Sequence, residues 1–145
     1  MVALTAGRNT PQIAGDVREG PLAASTAVFA GSLLMRNAAG YIVKGATATG
    51  LVGVGRAEDA ADNAAGSAGD VSVLYRPGCF RFANSAAADE ITVAEIGDVV
   101  YAVDDQTVAK TDGTASRSPA GFVDSVDALG VWVRFDEALT KVATA

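Results

Sequence analysis

Histidine is missing from this chain of 145 residues, cysteine occurs once, and aromatic residues make up only 6% of it. Without histidine there is no Ser-His-Asp arrangement, and both the commonest general base and the commonest metal ligand are gone. The lone Cys79 excludes an internal disulfide and a cysteine-built zinc site, so nothing points to an oxidising compartment. Cys79 lies in Pro77-Gly78-Cys79-Phe80, a turn entering a strand, where a small buried apolar residue is expected. Basic residues are few: 11 Lys and Arg against 17 Asp and Glu leave a formal charge of −6. That balance argues against a broad nucleic-acid surface, which needs clustered Lys and Arg. Long apolar runs are absent too. No apolar leader opens the chain, and no stretch approaches the roughly 20 apolar residues that span a bilayer. The expectation is a soluble protein made in the cytoplasm, with no membrane and no nucleic acid among its partners.

Half of the residues are apolar, but many are alanine, so the core is thin and built from Val, Ile, Leu and a few Phe. The length fits one domain that buries roughly 70% of its unfolded surface. Gly-Asp-Val recurs at Gly15, Gly69 and Gly97, and the last two copies each open an alternating apolar run. Glycine and Asp form the turn, and Val starts an extended segment suited to a pleated, half-buried surface.

Residues 1–24 differ from the rest. Pro11 and Pro21 bias their predecessors away from helix, and Leu4, Ile13 and Val17 are spaced too widely to make a strand or helix face. This segment is either a disordered tail or an extended arm that orders on its own domain or on a neighbour. Strand signals then run from residue 25 to 136. Segments 27–30, 32–36 and 41–44 come first, the last two forming a hairpin around Asn37-Ala38-Ala39-Gly40. Residues 51–57 form a strand in which Gly53 and Gly55 mark a bulge or a close backbone approach. Residues 58–69 read as loop. Segments 71–76 and 78–83 alternate cleanly, joined tightly through Pro77-Gly78. Thr92-Val93-Ala94-Glu95 has capping-box spacing and predicts one helical turn before a strand over 99–103. Residues 107–110 follow, then a polar tip over 111–118, and 120–126 pairs with 131–135. Asp136 caps a short C-terminal helix or tail over 137–145. About nine short strands at such spacing predict an all-β barrel or sandwich in a single domain.

Sites for chemistry are poor. Gly40 to Thr47 carries the glycines and final Thr of a phosphate loop, but Ala46 replaces the phosphate-binding Lys and the segment sits in a hairpin. Gly53-Val54-Gly55 opens a dinucleotide pattern, yet Glu58 stands where the third glycine belongs. Asp104, Asp105 and Asp112 bracket a strand, and Asp124 and Asp127 flank a turn. The 104–115 window lacks the sixth-position glycine and twelfth-position Glu of a calcium loop, so these acids read as turn formers. Trp132 alternates with Val131 and Val133 and serves core or interface packing. Tyr41, Tyr75, Tyr101 and Trp132 are the aromatics a glycan-binding surface would use. No catalytic, cofactor-binding or metal-binding residues are assigned, and the chain reads as a non-enzyme.

Four phrases carry a resemblance: Gly78-Cys79-Phe80-Arg81-Phe82 with 83–93, Ile96-Gly97-Asp98-Val99-Val100-Tyr101, 107–113, and Gly130-Val131-Trp132-Val133-Arg134-Phe135. Over about residues 50–135 the chain resembles tailed-bacteriophage head decoration, or capsid cement, proteins. The resemblance implies a protein on the outer face of the virion head, bound to major capsid protein subunits and to itself as a trimer. It implies that the N-terminal arm makes the contact: Leu4 and Ile13 as apolar anchors, Arg8 and Arg18 toward acidic groups, with Thr5, Asn9, Thr10, Pro11, Gln12 and Val17 along the same interface. A carbohydrate-binding or adhesin-like module, or another structural part of the virion, is the alternative.

Overall fold

Strand β3 (Leu33–Arg36) lies between two hydrophobic cores, and the fold is arranged around it. A computed structural model describes residues 2–145. Strand side chains alternate between faces, so Leu33 and Met35 enter one core while Leu34 enters the other. All three are fully buried. A strand covered on both faces reads as an uninterrupted apolar run, as Leu33-Leu34-Met35 does.

The remaining strands are β1 (Arg18–Pro21), β2 (Thr26–Val28), β4 (Ile42–Lys44), β5 (Val52–Ala57), β6 (Ala61–Asn63), β7 (Ser72–Arg76), β8 (Cys79–Phe82), β9 (Val99–Ala102), β10 (Val108–Ala109), β11 (Pro119–Asp127) and β12 (Gly130–Arg134). One five-stranded antiparallel sheet has the order β1-β7-β5-β3-β4, and a second has the order β10-β9-β11-β12-β8. β2 and β6 form a separate ribbon. The edges of each large sheet touch through one parallel bridge, Leu22 to Ile42 in the first and Ala83 to Thr107 in the second. The sheets curl, but neither closes into a barrel.

The second core is enclosed by the first sheet and holds Leu22, Leu34, Ile42, Val54, Val73 and Tyr75. The larger core lies between β3 and the second sheet, with Phe82, Val100, Val123, Val131 and Val133 against Leu33 and Met35. Helix α1 (Glu137–Ala143) packs against β5 and β11, one strand from each sheet. Arg36 of β3 donates from Nε to Glu137 of the helix at 2.7 Å, and Glu137 in turn holds the Arg36 guanidinium above its ordinary pKa.

Where the sheets meet, Gly53 faces the Ala120 carbonyl so closely that any Cβ would collide with it. The pairing of β5 with β3 is bulged between Leu34 and Met35, opposite Gly55 and Gly53. Both readings of this glycine pair, bulge and close approach, therefore hold. Backbone bonds stitch the same seam: Leu33 N donates to Asp105 O at 2.8 Å, and Ser118 Oγ donates to Ala48 O while accepting from Leu51 N.

The all-β class is as expected, and so are several local elements. The 37–40 turn is built by Asn37 Oδ1, which accepts from the amides of Ala39 and Tyr41. β11 and β12 pair as a hairpin, and Asp136 caps α1 by accepting from Leu139 N at 3.0 Å. The Thr92 capping box is complete, although the turn it caps is a 3₁₀ turn (Val93–Glu95).

Other expectations need correction. There are twelve strands in place of about nine. The segment 58–69 is not all loop, because β6 lies in it; its short polar sequence hides the strand until β2 supplies a partner. β2 spans Thr26–Val28 in place of 27–30, and its partner is β6. The tight link after β7 carries the chain from one sheet to the other, since β8 pairs with β12. The domain starts earlier than residue 25: Arg18–Pro21 is a strand on β7, and Leu22 is fully buried. Cys79 is exposed, not buried, because β8 is a sheet edge and Phe80 and Phe82 take the inward positions.

Gly53→Ala is expected to cost about 1–3 kcal/mol or more in urea unfolding, because a backbone carbonyl rather than a flexible side chain must give way. Gly7→Ala, with open space around it, is expected to leave the midpoint unchanged. Thr140 is fully buried and its hydroxyl has no partner, so Thr140→Val is expected to keep or raise stability. A drop of the Thr140→Val midpoint would show that the hydroxyl is satisfied in solution.

Candidate functional site

Residues 2–17 belong to no strand or helix, and all sixteen are exposed. Within them the backbone makes one bond of its own, from Thr10 N to Arg8 O at 3.1 Å. Leu4 is 72% exposed and Ile13 83%, so both apolar anchors face solvent. Thr5, Arg8, Asn9, Thr10, Pro11 and Gln12 lie along the same exposed stretch, and Val17 ends it, partly covered. Arg18 differs: it begins β1, pairs with Tyr75 and lines a cleft of about 370 Å³ with Asp136 and Glu137. The ten residues therefore form a strip rather than a pocket.

Charge is unevenly divided along the chain. Residues 1–18 hold two arginines and one acid, whereas residues 19–145 hold nine bases and sixteen acids. Six of those nine bases are already paired: Arg36 with Glu137, Arg56 and Arg76 with Glu58, Arg81 with Asp127, Lys110 with Glu95, and Arg117 with Asp89. The domain thus presents a largely acidic face, and neither Arg8 nor Arg18 is in an ion pair among the described residues.

Of the acids singled out from the sequence, Asp104 and Asp127 shape turns through their side chains, Asp112 through its backbone alone, and Asp124 lies within β11. Asp104 Oδ1 accepts from Gln106 N, and the Asp112 carbonyl accepts from Ser116 and Arg117. Asp127 accepts from Leu129 and Gly130 through Oδ1 and from Trp132 Nε1 through Oδ2 at 2.9 Å. The indole bond, followed by the Leu129 amide, holds the Asp127 carboxyl below the ordinary range. Among the described residues, no three His, Cys, Asp or Glu side chains are grouped to hold a metal. Residues 40–47 form the β3–β4 turn and β4, with no following helix, and Gly53 and Gly55 lie inside β5. Tyr75 is buried, while Tyr41, Tyr101 and Trp132 are each half-buried. Trp132 stacks beneath Arg81, whose guanidinium carbon is 5.5 Å from the ring centre.

Comparison with family models, with curated proteins and with solved structures finds no match. No helix among the described residues is long and apolar enough to cross a membrane.

An exposed aromatic that drew no notice in the sequence is Phe29, 78% exposed at a β-turn over 29–32. Ser32 N closes that turn onto Phe29 O at 3.2 Å, and Gly31, at φ +87°, takes the position that favours glycine. Gly31 N is anchored to Ala57 O at 2.9 Å, so the ring is held outward by a fixed backbone. Gly31 was the available signal, because it ends the apolar run 27–30 in a turn whose first residue is Phe29.

Two loops at one end of the second sheet are clamped to each other. Asp89 accepts from the Thr111 hydroxyl and pairs with Arg117 at 3.1 Å; both interactions lower its pKa, the Thr111 bond more. Glu95 accepts from Thr92 N at 2.6 Å and pairs with Lys110 at 3.0 Å. These bonds, led by the Thr92 amide, hold the Glu95 carboxyl down to about 2. A carboxylate with a depressed folded pKa stabilises the native state above its ordinary pKa, and that contribution is lost as pH falls toward the folded value. Stability is therefore expected to decline from about pH 4.5 down to about pH 2, with Glu95 as one source. Glu95→Gln is expected to be less stable at neutral pH and to lose less on acidification. Equal acid dependence of the two proteins in thermal melts would remove Glu95 from that role.

Proposed function

We propose that this chain is a decoration protein of a tailed-bacteriophage head, binding the outer surface of the assembled shell and bridging neighbouring major capsid protein subunits. The observation that carries the reading is the exposed arm, residues 2–17: it presents two large apolar anchors and an unpaired arginine, and a rigid β domain holds one end of it in place through β1. The resemblance over residues 50–135 names the kind of assembly such an arm would grip.

The physics is mass action. A protein that binds the closed shell and not its separated subunits shifts the equilibrium toward the shell, by about 2.7 kcal/mol per site at a hundredfold excess over Kd. Many copies multiply a modest contact, and a trimer of this chain would bring three arms to one point on the lattice. The acidic domain suits a protein that stays dissolved at high copy number and needs no contact with packaged DNA. The reading makes the protein in the host cytoplasm and places it on the capsid exterior.

The expected outcome is that undecorated heads mixed with this protein open at a higher temperature, followed by calorimetry or by release of DNA. A chain lacking residues 2–17 is expected to bind and protect far less. Heads that open at one temperature with or without the protein would end the proposal.

A further inference from the structure

Phe29 separates two depressions on the surface of the domain. On one side, Ala27, Val28, Ala60 and Ala61 line an apolar hollow of about 360 Å³ that ends at Asp62. On the other, a hollow of about 350 Å³ is lined by the polar turn 30–32 together with Asp105 and Gln106. Phe29 lines both hollows, which together we take as one groove holding an acid in each half. Neither Asp62 nor Asp105 has a basic partner among the described residues.

We infer that this groove binds residues 2–8 of the N-terminal arm of a second copy of the same chain. Three observations select that occupant. The segment Val2-Ala3-Leu4-Thr5-Ala6-Gly7-Arg8 is apolar and ends in a base, complementing an apolar hollow with acidic flanks. In an extended chain Leu4 and Arg8 point to the same side about 13 Å apart, enough for one to sit on each side of an aromatic ring. With residues 2–8 seated, residues 9–17 link them to β1, and nine extended residues reach about 30 Å, enough to meet a neighbour packed alongside. In the chain described here the groove is not filled by its own arm, because Leu4 and Phe29 are both largely exposed.

The contact is head-to-tail, arm of one copy to groove of the next, and so gives a closed ring or an open chain of copies. It occupies Leu4 and Arg8, and so leaves Ile13 as the arm's one large apolar anchor for a shell. It does not depend on the shell-binding proposal, because it is read in solution without a shell.

The test is a disulfide trap in the full-length chain. Cys79, which is exposed, is first replaced by Ser. One chain then carries Leu4→Cys and a second, of different mass, carries Ala60→Cys; both positions are exposed and tolerate the change. Mild oxidation of the mixture is expected to give the mixed dimer at least tenfold faster than a mixture in which Val142→Cys replaces Ala60→Cys. Arg8→Glu is expected to slow trapping about tenfold, and Asp62→Lys with Asp105→Lys in the partner to restore it. High salt is expected to slow the wild-type reaction, since the Debye length falls to about 3 Å at 1 M. Equal trapping at residues 60 and 142 would overturn the inference. So would trapping only within one chain carrying both cysteines, which would assign the groove to its own arm.

Discussion

The fold depends on one strand having no exposed face. Residues 33–35 supply side chains alternately to two cores, so any shift of register by one residue would exchange the contents of both. The close approach of β5 to β11 depends on the same placement. β3 draws β5 into the centre of the molecule, and only a residue without a side chain lets the Gly53 backbone meet the Ala120 carbonyl. The helix that closes the structure adds the third tie, with Glu137 reaching back to Arg36 on that same strand.

No charged side chain among the described residues is fully buried, so the charges lie at the surface. There the charges have been largely sorted. Ion pairs absorb most of the bases of the domain, so its unpaired charge is acidic, while the unpaired arginine of the arm is left free to meet it. The arm, outside every strand and helix, carries exposed Leu4 and Ile13 and the unpaired Arg8 beside a domain with excess acid.

Much of the local structure was legible because it rests on short-range chemistry. Asn37 bonding the turn that follows it, Thr92 and Glu95 capping each other, and Asp136 capping the last helix are all contacts within four residues. Alternation revealed β7, β8, β11 and β12 for the same reason: each strand carries its own pattern of buried and exposed residues. The unusual composition before residue 18 marked a segment that lies outside every strand and helix, with Leu4 and Ile13 in solvent, whereas Phe29 was signalled only by the nearby Gly31.

Sequence alone determined that this is an all-β chain, where its turns and caps fall, and that its surface carries excess negative charge; each follows from neighbouring residues or from simple counting. Tertiary structure alone decided which strands pair, because partners more than fifty residues apart, such as Arg18 and Tyr75, are selected by the shape of a shared core and not by any local signal. It made a strand of the polar segment at β6, sent β8 to the second sheet with Cys79 on its edge, and brought Ala60 and Asp105 to opposite sides of Phe29. Those outcomes depend on packing between distant segments, and packing is settled only when the whole chain has folded.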